Sequence, residues 1–226
     1  MNYTKVYLQL LRESIDRAPE FGITRPCMIN TDKVRDDDFE RANYLIQREW
    51  PKITNSIPGY LGNRCVALAS IVFALLVSHG FKADIVIGTV HHQGERVFPC
   101  TVETLLKEVR SPGGVDDAVA MHAWVTLGGD TIIDGGMLSR LVRTGEAPER
   151  FDRQYFWTRA GLLSQKSDMQ YHPIVVGSQF IFHQRVKTTG FQPVSFSCEN
   201  EEAGGVRWTT DTAVTRYFRS SITLCG

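Results

Sequence analysis

The stretch Gly62-Asn63-Arg64-Cys65-Val66-Ala67-Leu68-Ala69-Ser70-Ile71-Val72-Phe73-Ala74-Leu75-Leu76-Val77-Ser78-His79-Gly80 decides the fold. It predicts a helix with Asn63 as N-cap and Gly80 as the residue that ends it. No charge falls between Val66 and Val77, and apolar side chains point in every direction around a 3.6-residue period. A helix apolar on all faces is buried on all faces, so this one is the axis of the core. The run is too short to cross a bilayer, which takes about 20 apolar residues. Cys65 stands in the first turn beside Arg64. Unpaired backbone N–H groups and the positive end of the helix dipole favour thiolate over thiol there. A small buried hydrophobe fits that position equally well, so the rest of the chain must decide.

Outward from this helix, the composition narrows the field. A chain of 226 residues, 42% hydrophobic and 22% charged, suits one domain with an ordinary core. Within it, 1–60 reads as a helical N-terminal segment, 61–136 as the core around the cysteine, and 137–226 as strands and a helix that complete the domain. Basic and acidic residues balance at 25 each, with no basic run, which argues against nucleic acid as a partner. The N-terminus lacks the apolar segment of a signal peptide, and nothing suggests a membrane span. Cysteines at 27, 65, 100, 198 and 225 form neither a paired framework nor a CxxC element, which points to a reduced, cytoplasmic protein.

Upstream of the cysteine, apolar residues at 3, 6, 7, 10, 11 and 15 predict an amphipathic helix over 3–17. A loop over 19–35 follows. The triplet Asp36-Asp37-Asp38 then suits the start of a helix that turns Phe39, Ala42, Leu45, Ile46 and Trp50 inward and stops at Pro51. Downstream, the β-branched run Ala83 to Val90 predicts a central strand, with Val97-Phe98 returning beside it. His91 and His92 point to opposite faces of that strand, so they do not clasp one metal, and the chain offers no ligand spacing for a metal site. A short helix over 101–110, a loop at 111–114, a strand at 155–157, a strand pair over 174–186, a loop over 199–205 and a closing helix over 212–222 complete the reading.

The second informative stretch is Ala120-Met121-His122-Ala123-Trp124-Val125-Thr126-Leu127, then Gly128-Gly129-Asp130, then Thr131-Ile132-Ile133-Asp134-Gly135-Gly136. It reads as a hairpin, and its register matters. A two-residue loop puts His122 and Asp134 on opposite faces. A three-residue loop over 128–130 pairs Leu127 with Thr131 and so Trp124 with Asp134, which makes His122 a diagonal neighbour of Asp134 on one face. The glycines would supply the left-handed conformation of such a loop.

Cys65, His122 and Asp134 then stand in the order nucleophile, base, orienter. A thiol nucleophile needs a base within reach, and the base needs a third group to fix its tautomer and stabilise the imidazolium. Separately, a core histidine and a turn aspartate have structural explanations. Together, on these elements, they point to catalysis.

Cys65 opening an apolar helix, Gly80 ending it, the Ile85–Val90 strand with Gly88, His122-Ala123-Trp124-Val125 and Asp134-Gly135 resemble the transglutaminase-like branch of the papain-like fold. The likeness is close in style to bacterial transglutaminase-like proteins, including the leader peptidases of lasso-peptide maturation, and covers about residues 60–136. The resemblance implies an α+β fold, papain-like or transglutaminase-like, in which a buried helix carries the cysteine against an antiparallel sheet. It implies no metal or other cofactor, with Cys65 as nucleophile, His122 as general base and acid, and Asp134 as orienter. The sequence departs from the family's patterns in two places. Val66 stands where animal transglutaminases often have tryptophan, and Gly59 stands where papain-like proteases place a glutamine. The Cys65 backbone N–H is the first oxyanion donor; Tyr60, Asn63 and Trp124 are the candidates for further oxyanion or substrate contacts, with Asn63 already used as the cap.

The function that follows is a cysteine-dependent amide or ester hydrolase or acyltransferase acting through a thioester on a peptide, protein or small amide. The competing reading is a non-catalytic peptide- or protein-binding module on the same fold.

Overall fold

The computed structural model describes residues 3–24, 27–110 and 121–183, together with two short strands at 196–197 and 207–208. Helix α1 (Tyr3–Arg17) matches the predicted amphipathic span, and Pro19 enters the 3-10 turn that follows it. Helix α2 (Asp36–Ser56) runs past Pro51 rather than stopping there. Proline removes one N–H, which orphans the carbonyl of Gln47 on an exposed turn where water can reach it. Beyond the proline, Ile53 and Thr54 are buried, so packing sustains the last turns.

Helix α3 (Cys65–Ser78) is buried at every position from Leu68 to Val77. Its end is as predicted. Gly80, at φ +80°, lets its N–H reach the Val77 carbonyl while Phe81 N–H reaches that of Leu76. Its start differs. Residues 61–63 tighten into a 3-10 turn, Arg64 N–H donates to the Leu61 carbonyl at 2.8 Å, and Arg64 becomes the N-cap. Asn63 is exposed and does not cap, and among the described residues no side chain bonds the first-turn N–H groups of α3.

The remaining elements are β1 (Asp84–His92), β2 (Glu95–Arg96), α4 (Val102–Arg110), β3 (His122–Thr126), β4 (Thr131–Asp134), α5 (Met137–Arg143), β5 (Phe156–Arg159), α6 (Ala160–Ser167), β6 (Met169–Val176) and α7 (Ser178–His183). The pair β7 (Phe196–Ser197) and β8 (Arg207–Trp208) forms a separate small sheet. The return of β1 uses residues 95–96 rather than 97–98. The strand pair expected over 174–186 is instead one strand and one short helix, with Gly177 between them at φ +137°. The loops at 111–114 and 199–205 and the helix over 212–222 lie outside the described residues.

Strand β1 is the centre of an antiparallel sheet, with β3, β4 and β5 stepping away on one side and β6 on the other. Alternation divides the sheet into two apolar faces. Ile85, Ile87, Ala123, Val125 and Ile133 pack with α2 and α3. Val86, Val90, Trp124, Ile132 and Tyr171 pack with Tyr7 and Leu11 of α1 and with residues of α5 and α6. The sheet is therefore covered on both faces, and the architecture is α+β. Among the described residues no helix is long and apolar enough to cross a membrane.

Asp84, buried at the start of β1, accepts backbone N–H groups from Met28, Ile85 and Ser178 and so fixes three segments at one end of the sheet.

Candidate active site

The hairpin β3–β4 sets Val125 opposite Ile133. Antiparallel pairing then places Trp124 opposite Asp134 and His122 diagonally across from it on the same face. The reason for its glycines is not the one read from sequence, because neither Gly128 nor Gly129 has positive φ. The backbone at 31–32 passes so closely that a Cβ at Gly129 would lie 2.2 Å from the Thr31 oxygen, and one at Gly128 2.7 Å from the Asp32 oxygen.

That register brings the His122 and Asp134 side chains together. His122 Nε2 lies 2.5 Å from Asp134 Oδ2, and both residues are fully buried. The carboxylate is held from three further directions. The Tyr171 hydroxyl donates to Oδ2 at 2.6 Å, and the N–H groups of Gly136 and Met137 donate to Oδ1 at 2.8 and 3.1 Å. The ring is also fixed by stacking, with Phe98 parallel to it at a centroid distance of 4.4 Å.

His122 and α3 lie on opposite faces of the sheet, yet the cysteine reaches the histidine because each opens its own element at the same end. The Cys65 thiol donates to the carbonyl of Met121, the residue before His122, at 3.8 Å. Gly136, just past β4, closes the same corner, since a Cβ there would sit 3.4 Å from Cys65 Cβ. Among the described residues Nδ1 of His122 is buried without a hydrogen-bond partner. The Cys65 side chain acts on the ring from within this corner. The thiol is close enough to act on the ring's charge, and no hydrogen bond joins the two.

The electrostatics follow from this packing. Burial alone would push the His122 pKa down, but the Asp134 carboxylate more than reverses this, and Cys65 adds to the rise, to about 10. Burial would raise the Asp134 pKa, and the His122 charge and the surrounding donors hold it below the usual carboxylate value. Burial and the neighbouring carboxylate keep the Tyr171 hydroxyl protonated, so it acts as a donor. Both shifts favour the imidazolium–carboxylate form of the pair. Such a ring stabilises negative charge at a neighbouring sulfur and has a proton to give to a leaving group.

The lesser candidates separate from this centre. Trp124 is fully buried and donates its indole N–H to the Tyr7 hydroxyl at 3.1 Å, so it packs the sheet and presents nothing to a substrate. Asn63 is exposed and is not the cap of α3. Tyr60 is half-buried, folded back over Gly62, with the Arg143 guanidinium 4.5 Å above its ring. It stands beside the lead-in to α3 rather than on the thiol. Among the described residues the first-turn N–H groups of α3 have no side-chain partner, which leaves them free to meet an anion.

Of the other histidines, His91 stacks on His172 at 4.2 Å, His92 pairs with Glu146 at 2.8 Å, and His79 bonds the Leu75 carbonyl at the end of α3. Among the described residues no group of three metal-ligating side chains converges. Tyr171 and Phe98 escaped the sequence reading because they meet His122 only through sheet pairing and a loop, which carry no local pattern. No protein-family model matches the chain, and neither does a curated protein or a solved structure.

Proposed function

We propose that the chain is a cysteine-dependent amide or ester hydrolase or acyltransferase of the transglutaminase-like, papain-like type. The observation that carries this reading is the buried His122–Asp134 pair, held in one register beside a cysteine at the uncapped start of a helix. Cys65 thiolate adds to the substrate carbonyl, and the oxyanion lies against the first-turn N–H groups of α3. The His122 imidazolium gives its Nδ1 proton to the departing amine or alcohol as the C–N or C–O bond breaks, leaving a thioester and a neutral ring. The neutral ring then accepts a proton from water or an acceptor amine as it attacks the thioester, and the thiolate leaves. Asp134 fixes the ring and compensates its charge throughout. The reading extends to a peptide, protein or small amide as substrate, and to the cytoplasm, where Cys27, Cys65 and Cys100 would remain free thiols as they are here.

Alkylation by iodoacetamide at mildly acidic pH, read by mass spectrometry of a digest, tests the assignment. Cys65 should react well ahead of Cys27 and Cys100, and His122→Ala should slow Cys65 alone. Equal labelling of the three, or no effect of the substitution, would leave a binding module on the same fold.

A further inference from the structure

Three arginines stand around this site, and among the described residues none of them has a carboxylate partner. Arg64 directly precedes the nucleophile and is exposed. Helix α5 starts against Cys65 at Gly136, and Arg140, whose N–H bonds the Gly136 carbonyl, lies one turn further on. Its guanidinium sits 4.7 Å from the centre of the Phe98 ring, which stacks on His122. Arg143, on the next position of the same face, covers Tyr60, and both guanidiniums act on the Tyr60 hydroxyl. Among the described residues none of these three arginines forms an ion pair. Asp152 acts on Tyr60 from nearby, and one of its oxygens already accepts the Arg153 N–H at 2.9 Å. The formal net charge is zero, so the protein as a whole is not basic. Unpaired guanidiniums at the mouth of a site focus anions toward it and bind carboxylates through a planar fork.

We propose that the acyl donor carries a carboxylate close to the reacting carbonyl, and that Arg140 and Arg143 bind it. The inference rests on the cysteine chemistry proposed above and names its substrate class. Two alkylating agents of nearly equal size test it, anionic iodoacetate and neutral iodoacetamide, each timed at Cys65 in the full chain. Reading the ratio of the two rates at one sulfur cancels changes in the sulfur's own nucleophilicity. The iodoacetate-to-iodoacetamide ratio at Cys65 should exceed that of free cysteine by about tenfold at low salt. It should collapse at high salt and fall severalfold in the Arg140→Gln and Arg143→Gln variants. Arg143→Lys, which keeps the charge, should retain most of it.

Fast reaction with iodoacetamide but no excess with iodoacetate overturns the carboxylate site and leaves the nucleophile standing. An excess that survives both glutamine substitutions belongs to His122 alone and overturns the arginine assignment. Protection of Cys65 by inorganic phosphate but not by acetate, lost in the same variants, replaces carboxylate by phosphate. Indifference of Cys65 to both reagents removes the enzyme reading and this inference with it.

Discussion

Tyr171 donates its hydroxyl to the Oδ2 atom of Asp134, the same oxygen that His122 Nε2 engages, so one carboxylate oxygen ties the outer strand β6 to the β3–β4 hairpin. The hydroxyl cannot compete for the charge, because burial keeps it protonated. It acts as a positioning group for Asp134.

Replacing Tyr171 by Phe removes a buried donor to a charged acceptor, which should cost about 1.5–3 kcal/mol in urea unfolding at neutral pH. The sign of the pH effect follows from Asp134. Its folded pKa is depressed, so its contribution is present above the unfolded value and is lost as pH falls through the folded one. Losing the donor raises the folded pKa, and acid unfolding of Tyr171→Phe should begin at higher pH than in the parent. An unchanged acid midpoint would show that the bond does not act on the carboxylate.

The His122–Asp134 pair predicts a stability window. His122 has a raised folded pKa, so its contribution is complete below its ordinary value of 6.5 and fades as pH rises through about 10. Asp134 contributes fully only above its ordinary value of 3.8. The stability difference between the parent and Asp134→Asn should therefore be widest between about pH 4 and 6.5 and narrow on both sides. Denaturant titrations across that range check it, and a difference that stays flat from neutral pH to about 10 would contradict the charged pair.

Helix α3 should be the least forgiving element to truncate. Leu75 is 3% exposed within the core cluster, and Leu75→Ala should cost about 2–5 kcal/mol where the site cannot collapse. The midpoint of urea unfolding reports it. A loss comparable to a surface substitution would place this helix outside the core.

Gly88 stands where the β1–β6 register shifts, and a Cβ there would fall 2.1 Å from the His172 carbonyl oxygen and 2.9 Å from the Trp124 ring. One of these contacts is backbone and cannot swing aside. Gly88→Ala should destabilise by about 1–3 kcal/mol or more. Because Gly88 pairs with His122, it should also disturb the imidazole, read as slower labelling of Cys65. Parent-like stability would mean that β6 yields at its bulge.

The sequence by itself determined what short-range physics controls. An uncharged apolar run had to be a buried helix, and its ends had to put Cys65 at one terminus and Gly80 at the other. The alternation of the hairpin made the face shared by His122 and Asp134 depend on a single register. Tertiary structure decided the rest. It chose that register by packing the hairpin's glycines against the backbone at 31–32, a contact no local pattern encodes. It moved the cap of α3 from Asn63 to Arg64 by tightening the preceding turn, and it carried α2 through Pro51 because burial of Ile53 and Thr54 outweighs one lost hydrogen bond. It also turned Trp124 inward to Tyr7 and supplied Tyr171 and Phe98 to the site. Those three relationships join residues at least 24 positions apart. Contacts at such separations depend on how whole layers meet, and local periodicity carries no information about that.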